Sequence, residues 1–241
     1  MQSISLTNLA IAFIPVLVVI VIIWRWDMGY KASIYAILRM IVQLLLIGYV
    51  LTYIFGTNSY SIVITILIIM LLAASWISLR TTSLPKKTLI LNVIFSIVIG
   101  GVSVLIIMTQ GVLFIDPWYS PNIMIPLGGM IFANCMNGIS LAAERLESEL
   151  KQGKTYKEAK VVALRTSLIP ITNMLLAVGI VSLPGMMTGQ ILSGVSPMIA
   201  VRYQVMVMCM LFGSTGISVA VFLQSVRVQF QTPISIINKE K

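Results

Sequence analysis

Seven apolar stretches, at 6–24, 34–55, 60–79, 88–108, 123–143, 167–183 and 202–223, fill most of this 241-residue chain. A helix needs about 20 residues to cross the hydrocarbon core of a bilayer, and each stretch is close to that length. With 59% hydrophobic and 10% charged residues and a mean hydropathy of +1.02, the chain lacks the charge that covers a soluble domain of this size. The expected fold is therefore all-α: a polytopic integral membrane protein of about seven transmembrane helices, forming a single domain over 1–241.

The loops between the stretches alternate in charge. Arg25 and Lys31 lie in the first, no charge in the second, Arg80, Lys86 and Lys87 in the third, and only Asp116 in the fourth. The fifth is an island, Glu144 to Arg165, that holds ten of the 23 charged residues. The sixth, 184–201, carries none, and Arg202 follows it; Arg227, Lys239 and Lys241 close the chain. Lysine and arginine collect in cytoplasmic loops, which puts the odd-numbered loops and the C-terminus inside and the N-terminus outside. The same rule accounts for the net charge of +9 without a nucleic-acid partner. No charge precedes Leu6, so the first stretch lacks a signal peptide's basic region and reads as a retained helix. Cys135 and Cys209 fall inside apolar segments, where thiols pack as small hydrophobes; no disulfide framework is implied.

Some residues are out of place in lipid. Arg39, one turn before Gln43, either snorkels to the interface or meets a carboxylate such as Glu144. Asn134 and Asn137 share a helix face, beside Gly128, Gly129 and Ala133, small residues that allow close helix approach. Amides there act as interhelical glue or line a polar path. Asn173 follows Pro170, and a proline inside a span can open the backbone ladder toward a cavity. The segment Leu183 to Leu192 is the densest irregular stretch and is either re-entrant or an external loop. Of fifteen methionines, only Met186 and Met187 sit in that segment. The chain has no histidine and almost no intramembrane carboxylate, so no high-affinity transition-metal cage is expected; a cation would have to use carbonyls, amides, thioethers or water. The lack of intramembrane carboxylates also weighs against a secondary transporter driven by ion gradients.

The island divides in two. A helix continuing the fifth span should run to Gln152 and stop at Gly153. Thr155 and Glu158 have the spacing of a capping box and start a second helix, while Glu147 and Lys151 form an i,i+4 pair. Gly153-Lys154-Thr155 imitates the end of a phosphate-binding loop, but Ser148 stands where that pattern needs glycine. No ATP site follows. The island is either a solvated hairpin or a handle for a soluble partner.

Two segments carry a family resemblance. IPLGGMIFANCMNGISLAAERL, from Ile125 to Leu146, closely resembles a stretch of the FetB-type (YbbM-like) ABC permease family. So does LPGMMTGQILSG, from Leu183 to Gly194, followed by Pro197, Ala200, Arg202, Tyr203 and Gln204. The likeness extends across nearly the whole chain. It implies the membrane half of an ATP-driven exporter in the cytoplasmic (plasma) membrane, with iron the leading cargo; another metal or a nucleotide sugar is the alternative within the family. The permease would be a transport subunit and not an enzyme, with no cofactor of its own. A separate ATPase subunit would bind ATP-Mg, in a complex of two permeases and two ATPases. The resemblance turns the island into a coupling hairpin at 144–166, with Glu144, Arg145, Thr155, Tyr156, Glu158, Ala159 and Arg165 facing the ATPase. It places Asn134, Asn137, Asn173, Met186, Met187, Gln190, Tyr203 and Gln204 along the substrate path, Met186 and Met187 being weak metal-ligand candidates.

Overall fold

A computed structural model describes residues 5–27, 29–54, 56, 59–83 and 85–230. Lys239 and Lys241 lie outside the described residues. The described chain is helical, without a strand, and seven of its helical segments are long and apolar enough to cross a membrane. Contacts divide it into two units, 1–58 and 59–241.

The first unit holds α1 (Leu6–Ile11), α2 (Ile14–Arg25) and α3 (Tyr30–Ile54). Ser5 caps α1 by accepting from the Asn8 amide at 3.2 Å. A break at Ala12 and Phe13 separates α1 from α2, and α2 starts again with proline in its first turn, where the missing N–H is no loss. Asp27 and Gly29, both at positive φ, turn the chain into α3. Arg39 and Gln43 are exposed on α3.

The second unit begins with α4 (Tyr60–Ser78). Next, α5 (Lys86–Ile97) runs through a π-helical stretch at Val98–Val102, α6 (Ser103–Ile106) and a second π stretch at Ile107–Val112. Then come α7 (Pro121–Lys151), α8 (Tyr156–Ala177), α9 (Gly185–Leu192) and α10 (Pro197–Ser225). Small residues let these helices approach closely, as packing without a hydrophobic drive between helices requires. A Cβ on Gly100 would lie 2.4 Å from the Ser218 nitrogen, and one on Gly138 2.7 Å from a Thr215 methyl. The fourth span therefore presses on the backbone of α10 at Ser218, and α7 on its Thr215 side chain. Ser218 donates to the Cys135 sulfur at 3.3 Å at the same crossing. Gly128 meets Leu67 and Gly129 meets Met70 on α4, as small interface residues should; Ala133 is exposed and takes no part.

Aromatic residues bracket the apolar part of this unit. Tyr60, Tyr119 and Trp118 pack edge to face at centroid distances of 6.2 and 5.6 Å at one end. At the other end of α4, Lys86 sits 4.7 Å over the Trp76 ring. Tyr60 and Trp76 are sixteen positions apart, about 24 Å along a helix, which suits belts at the two faces of a bilayer.

Of the two spans that carry charged extensions, α7 follows the reading of the sequence and the sixth departs from it. α7 is 31 residues long, about 46 Å, so it overruns a hydrocarbon core of about 30 Å and carries the charged segment as a direct extension. The sixth span is not a helix over 167–183. α8 begins at Tyr156, passes Pro170 without a break and ends at Ala177. The helix starts in the charged segment because Thr155 caps it, and ends because a turn closed by Val178 and Ser182 follows, with Gly179 at φ +81. From Arg165 to Ala177 it covers only about 18 Å. The turn at 178–184 and the two-turn helix α9 follow it.

Candidate functional site

At the charge-rich end, the turn between α7 and α8 is built as the sequence demands. Gly153 adopts φ +85; its N–H donates to the Leu150 carbonyl and that of Lys154 to the Glu149 carbonyl, the pattern that closes a helix through a left-handed residue. The capping box is complete: the Glu158 amide donates to Thr155 Oγ1 at 3.4 Å, and the Thr155 amide to Glu158 Oε2 at 3.1 Å. Arg145 and Lys154 both pair with the Glu149 carboxylate. Those two cations lie on it and shield it from solvent.

A second carboxylate ties this end to the loop after α4. Glu147, only 7% exposed, accepts from the Ser83 amide at 2.9 Å, from Thr82 Oγ1 at 3.1 Å and from the Ser83 hydroxyl. Lys151, its expected i,i+4 partner, donates from 2.6 Å. Thr81 adds a bond to the Ser140 carbonyl at 3.1 Å. No local pattern marks Glu147 as the clamp, since its loop partners are more than sixty residues away.

The first turns of α8 have two faces. Lys157, Glu158, Val161 and Arg165 are exposed, as are Thr155 before them and Glu144 on α7. Tyr156 and Ala159, grouped with these in the sequence, are instead buried. The Tyr156 hydroxyl donates to the Leu223 carbonyl near the end of α10, and Lys160 reaches Gln224 at 3.1 Å. Helical periodicity sets the split: positions 156, 159 and 163 form one stripe, 157, 158, 161 and 165 the other.

Toward the opposite end, α9 stands between two chambers. The larger, about 600 Å³, is lined by Asp116, Asn122, Met130, Met186, Gln190 and Tyr203 among others, including Met206. Pro126 also lines it and has no N–H to give the Asn122 carbonyl one turn earlier. The smaller chamber, about 370 Å³, is lined by Met187, Gln204, Met208 and Cys209 with apolar neighbours from α8 and the turn at 178–184. The Oε1 atoms of Gln190 and Gln204 are both buried with no hydrogen-bond donor. Adjacent residues, Met186 and Met187, thus face different chambers, because successive helix positions point about 100° apart; Tyr203 and Gln204 do the same on α10.

The remaining path candidates are elsewhere. Asn134 donates to the Met130 carbonyl of its own helix at 2.9 Å, while Asn137 and Asn173 are exposed on α7 and α8. None of the three lines either chamber. Among the described residues, no group of three or more histidine, cysteine, aspartate or glutamate side chains is placed to hold a metal.

Comparison with known proteins gives this architecture a family. The chain is 34% identical over 209 residues to UPF0014 membrane protein slr1647 of Synechocystis sp., covering 80% of each chain. It is 30% identical over 236 residues to Probable iron export permease protein FetB of Escherichia coli, covering 90% of each. Protein ALUMINUM SENSITIVE 3 of Arabidopsis thaliana is 28% identical over 226 residues, which cover 87% of this chain and 81% of that protein. No solved structure matches. The uncharacterised protein family UPF0014 matches residues 6–230, and a multi-pass membrane protein so matched over nearly its whole length belongs to that family.

Proposed function

We propose that this chain is the membrane-spanning permease subunit of an ATP-driven ABC exporter of a metal cation, iron being the cargo that the likeness to FetB favours. Two copies would work with two cytoplasmic ATPase subunits, which bind ATP-Mg. The observation that carries the reading is the continuity of α8. Over 22 residues, about 33 Å, it joins an exposed charged face to the turn that borders the smaller chamber. A partner pressing on Lys157, Glu158, Val161 and Arg165 would move one end of a single helix whose other end borders that chamber.

The charge alternation supports placing that face in the cytoplasm. The Glu147 clamp supports a firm base, since the loop at Thr82 and Ser83 and the end of α7 would move together. Asn137 and Asn173, exposed on one copy, fit a surface that a second copy covers or that lines the route between copies, because an amide facing lipid is unfavourable.

The test is reversal of charge at two exposed positions, Glu158→Lys with Arg165→Glu, in a complex purified with its ATPase. The expected result is ATP hydrolysis that no longer responds to metal, with the helices intact. Wild-type assembly and metal-stimulated hydrolysis in the double variant would overturn the coupling role.

A further inference from the structure

Five methionines that look scattered in the sequence are sorted by the fold into two groups. Met130, Met186 and Met206 line the larger chamber; Met187 and Met208 line the smaller, together with the Cys209 thiol. Each chamber also holds one buried amide oxygen without a donor, from Gln190 and Gln204 respectively. Each is an acceptor that a cation or its hydration water can engage. Asp116 is the one charged residue in either lining.

We infer that the two chambers flanking α9 are successive binding sites for a soft monovalent cation of the copper(I) class, held by thioether sulfurs with amide oxygens in support. Thioether and thiol ligands select soft ions, whereas Fe(II) is better served by imidazole and carboxylate. This chain has no histidine, and the chambers share a single carboxylate. Methionine has three rotatable bonds and a polarisable sulfur, so the thioethers that line a chamber can adapt to an ion. Neutral donors bind moderately, which suits a transport site that must also release its ion. α9 is the shared wall: Met186 and Gln190 face one side and Met187 the other, so a small rotation of this two-turn helix passes the ion between chambers. The inference rests on the reading of the chain as a cation permease and departs from iron as its cargo.

Silver(I), which does not change oxidation state under assay conditions, is the probe. The chain alone is purified in detergent with Cys135→Ser throughout, so that no thiol outside the chambers answers. Silver binding is followed by equilibrium dialysis with elemental analysis, and Fe(II) binding is measured anaerobically. We expect two equivalents of silver per chain. One should be lost in Met130→Leu with Met186→Leu and Met206→Leu, and the other in Met187→Leu with Met208→Leu and Cys209→Ser. Fe(II) should bind at least tenfold more weakly. Methionine to leucine nearly conserves volume, so folding should survive, and gel filtration checks it. Two equivalents retained in both variants, no silver bound by the parent, or Fe(II) bound as tightly as silver would overturn the inference. The ATPase is absent from this test, so its failure leaves the coupling reading standing, and failure of the charge reversal leaves this one.

Discussion

Removing the Glu147 carboxylate should free the loop after α4 from the end of α7. In Glu147→Ala the Ser83 amide, the Ser83 hydroxyl and Thr82 Oγ1 all lose their acceptor. Hydrogen bonds to a charged group contribute about 1.5–3 kcal/mol each when counted alone. These three share one carboxylate and are not additive, and the two hydroxyls can turn to water, so release of the loop should become easier by about 2–3 kcal/mol in total. At about 1.4 kcal/mol per tenfold, that is roughly a 30- to 150-fold shift in the opening equilibrium. Amide hydrogen exchange reads it directly, because the Ser83 N–H is one of the bonded groups and opens with the loop. The peptide containing Ser83 should exchange faster by that factor, with the middle of α7 unaffected. Glu147→Gln keeps one carbonyl acceptor and the side-chain volume, and should give a smaller rise of about tenfold. Unchanged protection of Ser83 in the alanine variant would refute the clamp.

Other substitutions probe the remaining joints. Gly100→Ala puts a methyl group 2.4 Å from the Ser218 nitrogen and should destabilise the chain by about 3 kcal/mol, whereas Gly213→Ala, with open space around it, should be neutral or add up to about 1 kcal/mol; thermal unfolding in detergent separates the two. Thr155→Ala removes the cap of α8 and should cost about 1 kcal/mol, visible as faster exchange of the amides in its first turn. Gly153→Ala, forced to φ +85, should cost about 1–2 kcal/mol and be seen as a lower melting temperature. Tyr156→Phe deletes the bond to the Leu223 carbonyl and should loosen the contact between α8 and α10 by about 1 kcal/mol, measured by exchange at the end of α10.

What the residues disclosed depended on whether the cause was local. Gly153 and Thr155 act on backbone groups within five residues, so the break in the charged island and the start of α8 were both legible. The i,i+4 pair of Glu147 and Lys151 was legible for the same reason. Glu147 as a clamp was not, because hydrogen bonds to Thr82 and Ser83 depend on how α4 and α7 are packed. The end of the sixth span was not legible, because hydropathy marks where a helix is apolar, not where its hydrogen bonds end. The turn at Gly179 stops α8 at Ala177, short of the apolar stretch's own end at 183. The two π stretches of the fourth span left no mark that periodicity could find.

Sequence alone determined that this is a seven-span helical membrane protein with one large charged projection, because length and apolarity are additive along the chain and a bilayer reads them one segment at a time. It also settled the two-helix form of the projection, through a glycine and a capping box. Only the tertiary structure decided that Tyr156 and Ala159 face inward, that Asn134 bonds to its own helix, and that Met186 and Met187 open onto different chambers. Those outcomes depend on which face of each helix meets a neighbour. Close approach at Gly100, Gly128 and Gly138 sets those faces, and the partners across each crossing lie from about sixty to more than a hundred residues away in the chain.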